Sequence, residues 1–249
     1  MIPIQWKQND KKTMHVNEAE NGVVYLTWPA IEKIEGIRHA FSTRIGGVSK
    51  EHLSSMNLSL SRGDDPANVR ENYRRFCEAA GFEVENIVTS DQAHTTKVRY
   101  VTKADCGSGV TRDRDFHDID GMITDEPGVV LATFYADCVP LYFVDPVHRA
   151  IGLSHSGWRG TVHKMGQVTL DAMHERFGTE AKDVIAAVGP SICQDCYEVS
   201  GDVIEEFRAA FPETLHEKLF YRKPDGKYQL NLWEANHQIL LAAGVPEKQ

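Results

Sequence analysis

The stretch from Tyr135 to Thr161, YADCVPLYFVDPVHRAIGLSHSGWRGT, constrains the fold of this chain more than any other. Residues 141–144 and 150–153 are near-continuous apolar runs, and residues 129–134 upstream form a third. Runs without polar alternation predict strands covered on both faces. Cys138 precedes one run and His155 ends another, and residues set by a rigid scaffold at element ends are favoured positions for chemistry. A thiol and an imidazole held in this way could ligate a metal or form a nucleophile–base pair. They could equally be a small buried thiol beside a satisfied histidine. A glycine-broken turn follows, Ser156-Gly157-Trp158-Arg159-Gly160-Thr161, and a helical pattern begins at its end.

The rest of the chain alternates short strands and helices. Residues 23–28 and 37–41 predict strands, and the second runs into Ser42-Thr43-Arg44-Ile45-Gly46-Gly47. Adjacent glycines after an arginine make a turn whose N–H groups could approach an anion, with Arg44 as a forked donor; the plain alternative is a turn with a surface arginine. Asp65, Pro66 and Gly81 are the cap, first-turn and stop signals of a helix whose Val69, Tyr73, Phe76 and Ala80 repeat at helical spacing. Residues 86–89 and 97–102 predict strands, with Asp91-Gln92-Ala93-His94 between them. The polar segment 103–118 reads as a mobile loop with the character of a lid. Strands are expected at 120–125, 129–135 and 184–188, helices at 161–177, 201–211 and 232–243, and a hairpin around Pro224-Asp225-Gly226. Without repeats, linkers or low-complexity segments, residues 1–249 read as one α+β domain of mixed sheets flanked by helices.

His94, Cys138 and His155 each follow or end a predicted strand, so the three can converge. Two imidazoles and one thiolate suit zinc, and three protein ligands leave the fourth position open, as in catalytic rather than structural sites. Zinc would hold Cys138 as thiolate and lower the pKa of water. Asp91 and Asp137 are candidates for proton transfer or for orienting a ligand. Arg159 and the backbone of Gly157 and Gly160 at the helix start, together with Arg44, are the expected contacts for phosphate or another oxyanion. Cys193 and Cys196 have zinc-ribbon spacing, but no second Cys-x-x-Cys pair completes such a site, and two reduced thiols are expected.

Several classes are excluded by what is missing. None of the eleven histidines lies two positions from another, so the His-x-His pairs of a multicopper electron-transfer chain are absent. The zinc deaminase signature, Walker motifs and zincin motifs are absent too. A formal net charge of −9 argues against non-specific nucleic-acid binding. Five cysteines, an odd number, do not suggest a disulfide framework. Met1–Lys7 has no long apolar core, and no apolar run is long enough to span a bilayer, so a cytoplasmic setting is expected.

Seven blocks resemble, in order, the laccase-domain family, also described as polyphenol oxidase-like purine nucleoside phosphorylases. They are FSTRIGGVS (41–49), DQAHTTKV (91–98), DGMITD (120–125), ADCVPLYFVDP (136–146), IGLSHSGWRGT (151–161), GPSICQDCYEV (189–199) and LNLWEANHQILLAAGV (230–245). The resemblance implies a zinc site at His94, Cys138 and His155. It implies phosphorolysis of adenosine, inosine and methylthioadenosine and hydrolytic deamination of adenosine, with copper associated with phenol oxidation. It also implies a fold like that of cysteine hydrolases and toxin deamidases. Ala93, Thr95, Ser156 and Asn231 depart from the family's usual Val, Gly, Ala and Asp. The family usually continues beyond the last block with a Cys-Thr pair and a Phe-Ser-x-Arg segment, whereas this sequence stops at Gln249. The competing readings are a metal-free Cys138–His155 amidohydrolase or deamidase, a copper-dependent polyphenol oxidase, and a metal-responsive interaction protein. Oligomeric state is not legible.

Overall fold

The computed structural model describes residues 13–247, so the Met1–Lys7 stretch read above lies outside the described residues. The chain divides into two compact units, up to Glu83 and from Val84 onward.

In the first unit, β1 (His15–Glu18), β2 (Val24–Thr27) and β3 (Phe41–Ser42) form an antiparallel sheet, with α1 (Pro29–Glu32) between the last two strands. β1 carries no apolar alternation and is mostly exposed, so sequence pattern missed it. β3 is shorter than the predicted 37–41. His39 there serves as a side-chain acceptor instead, its Nε2 taking the Trp28 N–H at 2.7 Å. α2 (Pro66–Ala80) follows its signals: the Asp65 side chain accepts from the Ala67 N–H, and Gly81 closes the helix with φ +74°. Val69, Tyr73 and Cys77 are buried along its inner face.

The second unit contains β4 (Ile87–Thr89), β5 (Val98–Tyr100), β6 (Gly121–Thr124), β7 (Val130–Ala132), β8 (Val139–Asp145), β9 (Ala150–Ser156), α3 (Trp158–Val162), α4 (Met165–Phe177), β10 (Ile185–Val188), β11 (Glu198–Val199), α5 (Gly201–Ala210), α6 (Glu213–Leu219), β12 (Phe220–Arg222), β13 (Tyr228–Leu230) and α7 (Leu232–Ala242). The main sheet runs β10-β8-β9-β6-β5 and is antiparallel except between β5 and β6. The apolar runs in β8 and β9 are buried almost throughout, as expected. Leu141 and Phe143 of β8 share one core with Leu170 and Met173 of α4, Phe207 of α5 and Ile239 of α7. Truncating a fully buried side chain such as Phe143 to alanine should cost about 3–5 kcal/mol.

The architecture is thus mixed α+β with several sheets, and four local expectations need correction. The run at 129–135 yields only β7, which pairs in parallel with β4 outside the main sheet and is half-buried. The predicted helix 161–177 is two helices, separated at His163 and at Lys164, whose φ is +60°. Segment 103–118 is not a free lid. The Thr89 N–H donates to the Ser108 carbonyl at 3.0 Å and the Gly107 N–H to Ile87 at 2.8 Å, while Ser108 and Phe116 are buried. The first strand of the hairpin, expected from Lys218, begins only at Phe220, because Lys218 lies in the last turn of α6. Among the described residues no helix is long and apolar enough to cross a membrane.

Candidate active site

Strand β9 carries the site at its C-terminal end, and the registers on either side decide what reaches it. Against β8, Pro140 stands opposite His155 and Val139 opposite Ser156, so the next step sets Cys138 beside Gly157. Against β6, Gly121 stands opposite Ser154, and the His155 N–H donates to the Asp120 carbonyl at 2.7 Å. β5 lies beside β6 with Val98 opposite Gly121, and the segment entering β5 brings His94. Ser154 faces α4, its Oγ 2.6 Å from Thr169 Oγ1. Strand alternation therefore turns His155 to the other face of the sheet.

His94, Cys138 and His155 converge there. Their ligand-capable atoms all lie within 4.8 Å of one another, and Cys138 Sγ is 3.8 Å from His94 Nε2. The imidazoles meet edge to face with centroids 4.9 Å apart. A tetrahedral ion bound to sulfur and nitrogen at about 2.3 and 2.1 Å sets those atoms about 3.5 Å apart. The three residues therefore fit a metal ion with only a slight closure. Their donor set, two imidazoles and a thiolate, is one that zinc accepts and that a mononuclear copper centre also uses. Among the described residues this is the one group arranged to hold an ion.

The electrostatics follow from burial and from one carboxylate. Asp120 is fully buried. Its Oδ1 accepts from His155 Nδ1 at 2.8 Å and from the His94 N–H at 3.1 Å. Its Oδ2 accepts from the N–H groups of Ala93 and Thr95 and from Thr95 Oγ1. Burial alone would raise the carboxyl pKa, but these donors hold it below its ordinary value. Burial would likewise lower the pKa of His155; the Asp120 hydrogen bond and the neighbouring Cys138 outweigh it and raise the ring to about 9. His94 is shifted down, first by burial and then by the charge of His155.

The predicted anion contacts differ among themselves. Gly157 is required for clearance: a Cβ there would lie 2.9 Å from Cys138 Sγ and 3.0 Å from His94 Cδ2. At Gly160 a Cβ would meet only ordinary contacts at 3.6 Å. Arg159 is exposed, stacks on Trp158 at 4.3 Å and has no ion-pair partner among the described residues. Its charge is felt at His94 and at Tyr197. Arg44 lies in the first unit, where Nε and Nη2 donate to the carbonyls of Ser54 and His52. The N–H groups of Gly47, Val48 and Ser49 are also engaged, by Ser55 Oγ, Asn72 Oδ1 and the Ser55 carbonyl. The turn there takes up its own donors, which is why adjacent glycines are needed: a Cβ at Gly47 would sit 2.0 Å from the Ser55 carbonyl oxygen.

Residues 38–249 match the family model described as multi-copper polyphenol oxidoreductase laccase. The chain belongs to that family. Purine nucleoside phosphorylase YlmD of Geobacillus stearothermophilus is 40% identical over 210 residues, 82% of this chain and 75% of the relative. Adenosine deaminase RL5, from an unknown prokaryotic organism, is 32% identical over 217 residues, 86% of this chain and 82% of the relative. The crystal structure of YfiH from Bacillus licheniformis superposes with a TM-score of 0.85 at 32% identity, covering 94% of this chain and 86% of that one.

Beside the blocks that mark the laccase family, the structure brings in residues that motif reading passed over. Asp120 opens the DGMITD block and had only the look of a strand entry; a carboxylate beside a buried strand was its sole signal. Asn236 of α7 is fully buried and accepts from Ser156 Oγ at 2.9 Å while donating to Thr161 Oγ1 at 3.0 Å, so the last helix holds the Gly157–Thr161 turn. The Tyr197 hydroxyl pKa is pushed up to about 12 by burial and then by the charges of Cys138 and Asp137. The loop before it is tied to the Cys138 segment by the Ile192 N–H donating to the Asp137 carbonyl at 3.0 Å. Asp137 is exposed beside Cys138. The Asp91 carboxylate is held by Arg114 and His117 at 3.1 and 3.0 Å. Among the described residues the cysteines, Cys193 and Cys196 included, are not joined in disulfides.

Proposed function

We propose that the protein is a zinc-dependent purine nucleoside phosphorylase acting on adenosine, inosine and methylthioadenosine, with accompanying adenosine deaminase activity. The observation that carries this reading is the convergence of His94, Cys138 and His155 near Arg159, whose guanidinium has no ion-pair partner among the described residues. The names of the similar phosphorylases and deaminase supply the reaction class. The family match runs through both compact units, which supports reading residues 1–249 as one laccase-like domain.

In this reading, His94 Nε2, Cys138 Sγ and His155 Nε2 hold the ion. When bound, zinc supplies a Lewis acid beside the substrate. Arg159 binds phosphate and offsets its charge as an oxygen approaches the anomeric carbon. The C–O bond to that carbon forms as the bond to the purine nitrogen breaks, giving the free base and ribose 1-phosphate, or methylthioribose 1-phosphate from methylthioadenosine. The departing purine takes up a proton, and Asp137, exposed beside Cys138, is the transfer group favoured over Asp91, which Arg114 and His117 restrain. Gly157 keeps the ligands clear, and Gly160 lets the turn approach substrate. Arg44, whose Nε and Nη2 are engaged by the carbonyls of Ser54 and His52, keeps Nη1 as its donor for an anion. In deamination, water replaces the amino group of adenosine and ammonia leaves.

The test is to incubate zinc-loaded protein with adenosine, with and without phosphate, and to separate the products. Adenine only with phosphate establishes phosphorolysis, and inosine in either tube establishes deamination. Neither product from stoichiometrically loaded protein removes this reading.

One arrangement favours a second reading. Asp120, His155 and Cys138 are linked in the order acid, base and thiol, the connectivity of a cysteine hydrolase. A metal-free amidohydrolase or deamidase on a cysteine-hydrolase-like fold would use it directly. Iodoacetamide inactivation of metal-free protein that still turns over an amide would select this reading, whereas Cys138→Ala keeping its zinc and its full phosphorolysis would sink the zinc scheme.

A further inference from the structure

The buried carboxylate of Asp120 faces four nitrogen donors, enough to fill the roughly four lone-pair positions of an ionised carboxylate, and also the Thr95 hydroxyl, whose single proton lies equally close to the Asp118 carbonyl at 3.0 Å. The nitrogen donors are His155 Nδ1 and three consecutive backbone N–H groups at 93–95. The three backbone N–H groups can only point hydrogen at the carboxylate oxygens. An acceptor-only group saturated in this way leaves His155 Nδ1 no option but to carry its proton. The lone pair of the neutral ring then stands on Nε2, turned toward Cys138. The ring has little freedom to escape: it is 4% exposed and packs against the Tyr135 ring at 5.8 Å.

The same carboxylate acts on the other imidazole by a different route. His94 has φ +60°, a left-handed conformation that side chains with a Cβ rarely adopt. The N–H groups of Ala93, His94 and Thr95 wrap the two oxygens at 3.1, 3.1 and 2.8 Å, which holds that turn against its strain. Thr95 stands where the family usually has glycine, and its hydroxyl lies 3.0 Å from both Asp120 Oδ2 and the Asp118 carbonyl.

We propose that Asp120 is the positioning residue common to both imidazoles: through Oδ1 it fixes the His155 proton on Nδ1 and presents Nε2 to the site, and through both oxygens it holds the turn that presents His94. The assignment rests on the site described under the proposed function, and it applies whether Nε2 meets an ion or the Cys138 thiol. Asparagine at this position cannot substitute. If its NH₂ lies at the Oδ1 position, it faces His155 Nδ1 and the His94 N–H; if at the Oδ2 position, it faces the N–H groups of Ala93 and Thr95. The first orientation forces the ring proton to Nε2 and removes the ligand.

The experiment compares the full chain with its Asp120→Asn and Thr95→Ala variants by zinc competition against a chromophoric chelator. Losing an oriented partner of a ligating histidine should weaken zinc binding about 10–100-fold in Asp120→Asn. Thr95→Ala, which removes a hydroxyl shared with the Asp118 carbonyl and leaves the four nitrogen donors in place, should stay within about threefold. Asp120→Asn binding zinc as tightly as the wild type overturns the proposal. Should Asp120→Asn fail to fold, long-range ¹H–¹⁵N spectra of the wild-type histidines decide. They are recorded on zinc-loaded protein and on metal-free protein at a pH where the ring is neutral. The expected result is the proton on Nδ1 of His155 in both; a proton on Nε2 overturns the proposal. Zinc failing to bind while the proton remains on Nδ1 would remove the zinc reading and leave the positioning role standing.

Discussion

Two turns in this protein place an arginine next to glycines, Arg44-Ile45-Gly46-Gly47 and Gly157-Trp158-Arg159-Gly160, and tertiary structure puts them to opposite uses. In the first, the guanidinium and three backbone N–H groups are taken up by the carbonyls and side chains of the 52–55 segment and Asn72. The glycines exist to let backbone touch backbone. In the second, the buried Ser156–Thr161–Asn236 network holds the turn from behind, so Arg159 has no ion-pair partner among the described residues and Gly157 faces Cys138 and His94. An anion site therefore depends less on the donors in a motif than on whether the surrounding chain has already engaged them.

The sharpest way to break the comparison is at the glycines. Gly47→Ala puts a Cβ into immovable backbone and should destabilise the first unit by about 3–4 kcal/mol, read as a fall in urea midpoint, with zinc affinity of the surviving folded protein unchanged. Gly157→Ala should reverse that pattern. Its cost falls on two side chains that must move apart, so zinc affinity should drop about 100-fold, roughly 2.7 kcal/mol. Gly160→Ala, with room for its Cβ, should change neither quantity by more than about 0.5 kcal/mol. Equal effects at Gly157 and Gly160 would show that clearance is not what the first of them supplies.

The two units also bury histidines in opposite ways. His39 accepts a backbone N–H, has no buried carboxylate of its own and is pushed down to about 4 by burial, Glu32 opposing weakly. His155 is raised to about 9 because Asp120 and Cys138 outweigh burial. For His39 the folded pKa lies below the unfolded value of about 6.5, so its contribution is present above about pH 6.5 and is lost as pH falls toward about 4. Urea midpoints measured between those limits should show a loss of about 2 kcal/mol that His39→Gln, which can still accept the Trp28 N–H, does not show. A parallel decline in His39→Gln would assign the acid sensitivity elsewhere.

The smallest expected effects separate the arginines. Arg159→Ala should raise the KM for phosphate about tenfold, or 1.4 kcal/mol, with an unchanged urea midpoint. Arg44→Ala should instead lower the midpoint by about 1 kcal/mol through its lost carbonyl contacts, with little change in KM. A phosphate effect at Arg44 as large as that at Arg159 would mean that Nη1 alone suffices to bind the anion.

Local signals were read well wherever one segment carries its own reasons. Asp65, Pro66 and Gly81 bound α2 as their backbone preferences require. Pro224-Asp225-Gly226 turns the β12–β13 hairpin, with Gly226 at φ +88°. The apolar runs of β8 and β9 lie buried in adjacent strands. Signals failed where packing outvoted pattern. The 129–135 run looked central yet gave a half-buried strand beside β4, and the glycine-rich 103–118 segment looked free yet its backbone is bonded to β4.

What the sequence determined by itself was the inventory: which residues could be ligands, and that His94, Cys138 and His155 stand next to strands able to carry them. What only the tertiary structure decided was adjacency. Strand register set Asp120 beside His155 and Cys138 beside Gly157, and α7 set Asn236 behind the turn. Pairing across strands is fixed by burial summed over the whole sheet, and a slip of one residue would turn each side chain to the opposite face. No single segment carries that information, so the carboxylate that orients both imidazoles was invisible until the strands were side by side.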